Sequence, residues 1–237
     1  APESLRQRID AQLALMGYAG REWEMDWSSV YSARALTLPE YVAERVIFVG
    51  DAAHLLPIFG VRGANTGFQD VNDLCWKLAL QIKGLAGPAL LPSYSHERVA
   101  AAREIIDEAG KSTRFMTPPS AGQRLLRDAV LSLALTQAFV RPLFHWRTSR
   151  PHDYADSPLN CGEDDDHGFS CGPRAGAPLL NVRLNEDDYL FDHLGAAFHL
   201  VYFTEAGALP RALQVQAATL QEQGVPLRII AVGSPAP

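Results

Sequence analysis

Over most of the first 145 residues, apolar positions recur every three or four residues. Leu5, Ile9, Leu13 and Met16 predict an amphipathic helix over 4–16 that stops at Gly17. Residues 23–36, WEMDWSSVYSARAL, mix aromatic, β-branched and small polar side chains and predict a strand. Val46–Val49 is a short, two-sided apolar run of the kind buried in a parallel sheet. Phe68, Val71, Leu74, Cys75, Leu78, Ile82 and Leu85 then mark one face of a helix of about five turns. Pro92 and Ser93 open another helix, with Val99, Ala102, Ile106, Ala109 and Thr113 on its inner stripe. Pro118-Pro119 breaks the chain. Ser120 and Gln123 form a capping box for a third helix, striped by Leu126, Ala129, Val130, Leu133, Gln137 and Val140.

The pattern changes at 147–178, RTSRPHDYADSPLNCGEDDDHGFSCGPRAGAP, which is rich in Pro, Gly and Asp and predicts a linker or long surface loop. Beyond it, Phe198–Phe203 reads as a strand, Leu209–Gln223 as a helix and Leu227–Val232 as a second strand. Such a βαβ unit requires parallel strands. The expected organisation is therefore a first domain over 1–146 with helices within 93–144, a linker over 147–178 and a small α/β domain over 179–237.

Composition narrows the function classes. The 237 residues are 47% hydrophobic and 20% charged, enough for a sizeable core in a soluble protein. A net charge of -6, without Lys/Arg clusters, offers no stripe for nucleic acid. Apolar stretches such as Ala129–Leu135 are too short to span a bilayer, so no membrane association is expected. Three cysteines make no framework of paired bridges, which favours a reducing compartment, the cytoplasm by default. Cys161, His167 and Cys171 lack the close Cys pairs of structural zinc sites, and no metal site is expected.

The chemistry concentrates in VIFVGDAAHLLPIFGVRGANTG, residues 46–67. Ligands of open α/β sheets sit beyond the carboxyl ends of strands, which is where Asp51 falls. Gly50 permits a tight turn there, and the carboxylate can accept hydrogen bonds from sugar-type hydroxyls. Gly60, Gly63 and Gly67 let backbone approach a flat ligand with no Cβ in the way. A helix beginning near Asn65 would leave the amides of Gly63, Ala64 and Asn65 as outward donors, suited to negative charge. About fifteen residues is long for a plain strand-to-helix connection, which points to function.

GDAAHLLPIFGVRGANTGFQDVNDLCWKLAL, within the 50–80 segment, resembles the second flavin-binding motif of the FAD-dependent aromatic hydroxylases, the single-component flavoprotein monooxygenases. The matching positions are Gly50–His54, Pro57, Gly60, Gly63, Asn65–Gly67, Asp70 and Trp76–Ala79. Similar residues flank it at Arg45, Tyr94, Glu97-Arg98, Arg127-Asp128, Tyr154 and Ser157–Leu159. GPRAGAPLLNVRL with LFDHLGAAFHLVYF is similar to the start of the thioredoxin-like domain of the phenol-hydroxylase branch.

The resemblance implies an α/β fold: the carboxyl-terminal part of an FAD-binding monooxygenase with a helical segment, followed by a partial thioredoxin-like βαβ domain. It implies that Asp51 holds the ribityl hydroxyls of FAD, and that Pro57 lines the place where flavin and aromatic substrate meet. The amides of Gly63, Ala64 and Asn65 would face the pyrimidine side of the ring. His54 reads as structural, Arg62 as either an electropositive neighbour of the flavin or a solvated charge, and no catalytic side chain is assigned.

The implied reaction is hydroxylation of a phenolic or related aromatic ring, with NAD(P)H as electron donor and a homodimer possible. The family's Gly-x-Gly-x-x-Gly and Asp-Gly motifs are absent, so the sequence is expected to be a fragment of a longer enzyme, inactive alone. The alternatives are another flavin-dependent oxidoreductase of the superfamily, or a non-catalytic remnant with an assembly role.

Overall fold

The structure is a computed structural model that describes residues 2–58, 60–143, 151–160, 172–204 and 208–233. Two compact units emerge, residues 1–32 and 33–237. In the first, α1 (Pro2–Leu15) runs into Gly17, whose φ of 84° suits glycine at a helix exit. Trp23 donates its indole N–H to Asp10 and lies under the Arg6 guanidinium, 4.6 Å from ring centroid to charge. The strand expected over 23–36 does not form: residues 21–35 are irregular and Trp27, Val30 and Tyr31 are exposed. Strand-forming side chains make no ladder without a neighbouring edge to pair with.

The larger unit starts with short antiparallel pairs. β1 (Leu36–Thr37) pairs with β4 (His54–Leu55), and β2 (Val42–Ala43) with β3 (Val46–Ile47). The 46–49 run is therefore no buried parallel strand. Its first half is a two-residue hairpin arm in which Val46 is 55% exposed. Phe48 and Val49 instead pack on a core of Tyr41, Ala53, Tyr94, Val99 and Ala102.

Two helices carry this core. α2 (Gly63–Ile82) and α3 (Leu90–Met116) pack against each other. α3 buries Val99, Ala102 and Ala109 as the periodicity predicts, with Ile105 rather than Ile106 innermost. α2 departs from its predicted orientation. Its buried residues are Thr66, Asp70 and Lys77, while Phe68, Val71 and Ile82 are exposed. Among its apolar stripe, Leu74 reaches the core. Charged partners on α3 decide this, because they satisfy the polar stripe that α2 turns inward.

α4 (Ala121–Ala134) has the N-cap half of the expected box, the Ser120 hydroxyl accepting from the Gln123 amide at 3.2 Å, while the Gln123 side chain accepts from that same hydroxyl at 3.0 Å. Val130 and Val140 are buried, whereas Leu126 and Leu133 stay exposed. Within the expected linker, residues 151–160 are irregular yet fastened to α3. Ser157 is buried there, and the Tyr154 amide donates to Gly176 O at 2.9 Å. Cys161, His167 and Cys171 lie outside the described residues.

A hairpin of β5 (Arg183–Asn185) and β6 (Asp188–Tyr189) leads to β7 (Phe198–Thr204), α5 (Arg211–Glu222) and β8 (Leu227–Gly233). β7 and β8 run parallel in register from Phe198↔Leu227 to Thr204↔Gly233, the βαβ unit expected. Among the described residues, no helix is long and apolar enough to cross a membrane.

Candidate functional site

After β3 the chain enters a single 3-10 turn, Gly50–Ala52, which closes with the Ala53 amide on Gly50 O at 2.8 Å. Gly50 has φ 56°, a conformation that side chains with a Cβ rarely adopt. Asp51 follows on the exposed face of the turn. The turn is held from two sides: the Leu38 amide donates to Ala53 O at 2.9 Å, and the first turns of α2 lie against it. Gly67 on α2 lies beside the turn, where a Cβ would make an ordinary contact 3.5 Å from Gly50 Cα.

Beyond β4 the loop descends through buried Pro57 and rises through Gly60, φ 100°, and Val61, φ 52°. A β-branched residue in the left-handed region is a true outlier and costs on the order of 1–3 kcal/mol. Asn65, the third residue of α2, donates from its side-chain amide to Val61 O at 3.0 Å and ties the strained corner to the helix. α2 begins at Gly63, two residues before the predicted start, and no side chain caps its first turn. A Cβ built on Gly50 or Gly63 would meet nothing within 4 Å, so both glycines face open space. Arg62, at the cap position, is half-buried, and that burial lowers its pKa.

Beneath this surface lies a buried ionic network that the sequence reading left without a role. Asp70 Oδ2 accepts from the Gly50 amide at 3.0 Å and pairs with His54 Nε2 at 2.7 Å. Its Oδ1 accepts from Arg98 Nε at 2.7 Å. Arg98 extends further, donating from Nη1 to the Tyr154 hydroxyl at 2.6 Å. His54 is buried in this network, and its Nδ1 has no partner among the described residues. Burial alone would raise the Asp70 pKa, but the bonds from His54 and Arg98 and the Arg98 charge outweigh it and hold the carboxyl below its usual range. Burial raises Tyr154, with Arg98 opposing it.

A second group lies one turn further along α2. Lys77 pairs with Asp73 at 2.9 Å and with Glu97 of α3, and Glu97 in turn accepts from the Ser157 hydroxyl. A sequence signal for both groups existed. Thr66, Asp70, Asp73 and Lys77 recur at helical spacing and form a polar stripe along one side of α2.

Comparison with known proteins shows what these features resemble. Residues 2–109 match the sequence model of the FAD binding domain family.

Over 101 residues, 43% of this chain, it is 39% identical to the 3-(3-hydroxy-phenyl)propionate/3-hydroxycinnamic acid hydroxylase of Klebsiella pneumoniae strain 342, covering 18% of that enzyme. The tetracenomycin A2 monooxygenase-dioxygenase of Streptomyces glaucescens is 37% identical over 145 residues, 55% of this chain and 24% of the relative. The chain thus spans well under half the length of these curated relatives. Among solved structures, the rebeccamycin biosynthetic enzyme RebC with reduced flavin aligns at a TM-score of 0.65 and 28% identity, over 86% of this chain and 40% of RebC. The flavin-dependent monooxygenase PieE, at 23% identity and a TM-score of 0.56 over 86% of this chain and 41% of its own, shares the fold. The FAD-dependent monooxygenase fold expected from the motif is therefore established.

Proposed function

We propose that the Gly50–Asn65 loop is the flavin-facing half of an FAD site in an aromatic-ring monooxygenase. The observation that carries this reading is an exposed carboxylate, Asp51, on a left-handed glycine turn beside an uncapped helix N-terminus. The residues fit the cofactor. Asp51 would accept from ribityl hydroxyls, and the open space before Gly50 and Gly63 admits a ligand against bare backbone. The first-turn amides of Gly63, Ala64 and Asn65, with the helix dipole and half-buried Arg62, would stabilise negative charge on the ring. Gly60 and buried Pro57 would shape the floor of the loop.

Bound FAD would supply the redox chemistry, taking electrons from NAD(P)H and using oxygen to hydroxylate a phenolic or similar ring. The protein's share is to bind, orient and shield, and no side chain here is assigned to the chemical step. The names of the relatives support an aromatic substrate. Cysteine usage supports a cytoplasmic setting, and the exposed apolar face of α2 supports a homodimer.

The direct test is Asp51→Ala with FAD titrated into both proteins by amide-shift perturbation. A lost charge-assisted hydrogen bond should weaken binding by about one to two decades, or roughly 1.5–3 kcal/mol. Because Asp51 is exposed, the thermal midpoint should not move. Equal FAD affinity in the two proteins would sink the assignment.

A further inference from the structure

We propose that Tyr154 is a positioning residue for the Asp51 turn, acting through Arg98 and Asp70. The inference rests on the reading of that turn as the flavin contact, and it adds a requirement from a distant segment. Tyr154 lies 45 residues beyond the end of the segment that matches the FAD binding domain family, at residue 109.

The path is continuous. Gly50 carries the left-handed turn that aims Asp51 outward, and its amide is anchored on Asp70 Oδ2 at 3.0 Å. Asp70 is fully buried, so its orientation is set by its partners. Arg98, also fully buried, grips Oδ1 at 2.7 Å through Nε and reaches Tyr154 at 2.6 Å through Nη1. The two remaining contacts of Arg98, from Nη2 to Thr66 O and to Gln69 Oε1, are long at 3.4 Å each. The phenol hydroxyl is thus a short contact at the far end of the guanidinium. Without it the planar group has a weaker hold on its own rotation, and Asp70 inherits that freedom.

Tyr154 is itself fixed from behind. Its amide donates to Gly176 O at 2.9 Å, and the Asn160 side chain donates to its carbonyl at 2.8 Å. The 151–160 segment, whose composition suggests a linker, thereby braces the cofactor turn. The segment also meets α3 through His152 on Glu104, His96 on the Asp156 carbonyl, and Ser157 on Glu97, the last of which leads to Lys77 rather than to Asp70. Comparing the Tyr154 and Ser157 anchors separates positioning from general bracing.

The experiment compares Tyr154→Phe and Ser157→Ala in the 237-residue chain, reading the Gly50 amide exchange rate, FAD affinity and thermal midpoint. Tyr154→Phe removes one oxygen and should speed Gly50 exchange by on the order of tenfold. It should weaken FAD severalfold, while Ser157→Ala leaves the Gly50 amide as in the parent. Arg98→Lys keeps the charge but loses the fork, and should reproduce the Gly50 effect. Unchanged Gly50 exchange in Tyr154→Phe overturns the proposal, as does an equal rise in both variants, which would make the segment a plain buttress. Faster Gly50 exchange with unaltered FAD affinity would leave the positioning path standing and refute the flavin reading of the turn.

Discussion

Lys77 is fully buried between two carboxylates, on a helix whose Phe68, Val71 and Ile82 face outward. An ammonium in that position is tolerated because Asp73, Glu97 and, through Glu97, Ser157 satisfy the charge and its counter-charges together. Removing one member leaves the others unpaired in a low-dielectric setting. Lys77→Met should therefore cost about 3–5 kcal/mol, more than a typical core truncation of similar size recovers by added apolar contact. Urea denaturation of the two proteins measures this, and an unchanged midpoint would show that water already compensates the pair. Asp70 obeys the same logic beneath the candidate site, where its carboxylate serves a backbone amide, an imidazole and a guanidinium.

At the scale of elements, the α2–α3 seam is an ionic contact with a pH dependence of its own. Burial, opposed by Lys77 and reinforced by Glu97, raises the Asp73 carboxyl from 3.8 to about 6. Between these values the folded chain binds the proton more tightly than the unfolded chain, so this group makes stability fall as pH rises from about 4 to about 6. Asp70 has the opposite sign. Its lowered pKa contributes stability above 3.8 that is lost as pH drops through the folded value. The two effects occupy separate windows. Asp73→Asn should flatten the slope between pH 4 and 6 in denaturation midpoints taken at half-unit steps. A variant whose slope there matches the parent's would show that another group carries it.

For the whole molecule, the proposed loop offers contacts to the ribityl chain and ring, and the sequence contains no Gly-x-Gly turn for the pyrophosphate. A ligand bound by one end still loses its translational and rotational freedom. Calorimetry on the 237-residue chain is thus expected to give an FAD dissociation constant above about 1 μM, with a colourless protein after purification. Submicromolar binding would mean that the adenosine half of FAD is held by residues other than those of the loop. The exposed side of α2 matters at this scale too. Phe68 and Val71 line a cleft of about 730 Å³ with Cys75, Trp76, Phe198 and Pro226, and Trp76 meets Phe198 edge-on at 5.4 Å.

Sequence by itself determined the local grammar: α1 ending at Gly17, the Ser120 cap, α3's Val99, Ala102 and Ala109, and the parallel β7–α5–β8 unit. Each depends on local periodicity or on a cap, and at these positions the tertiary packing agrees with the local signal. The Gly50–Gly67 motif was legible for the same reason, since a carboxylate and bare backbone at set spacing need no distant partner to be noticed. Tertiary structure alone decided which side of α2 is buried. Apolar periodicity pointed to Phe68, Val71 and Ile82, but Arg98, Glu97 and Lys77 close a buried ionic network that turns the opposite stripe inward. It also decided that residues 23–35 stay irregular, for want of an edge to pair with, and that 151–160 is fastened to α3 by Tyr154 and Ser157 among others. Those outcomes depend on groups that lie 20 to 60 residues apart in the chain and meet only when it folds.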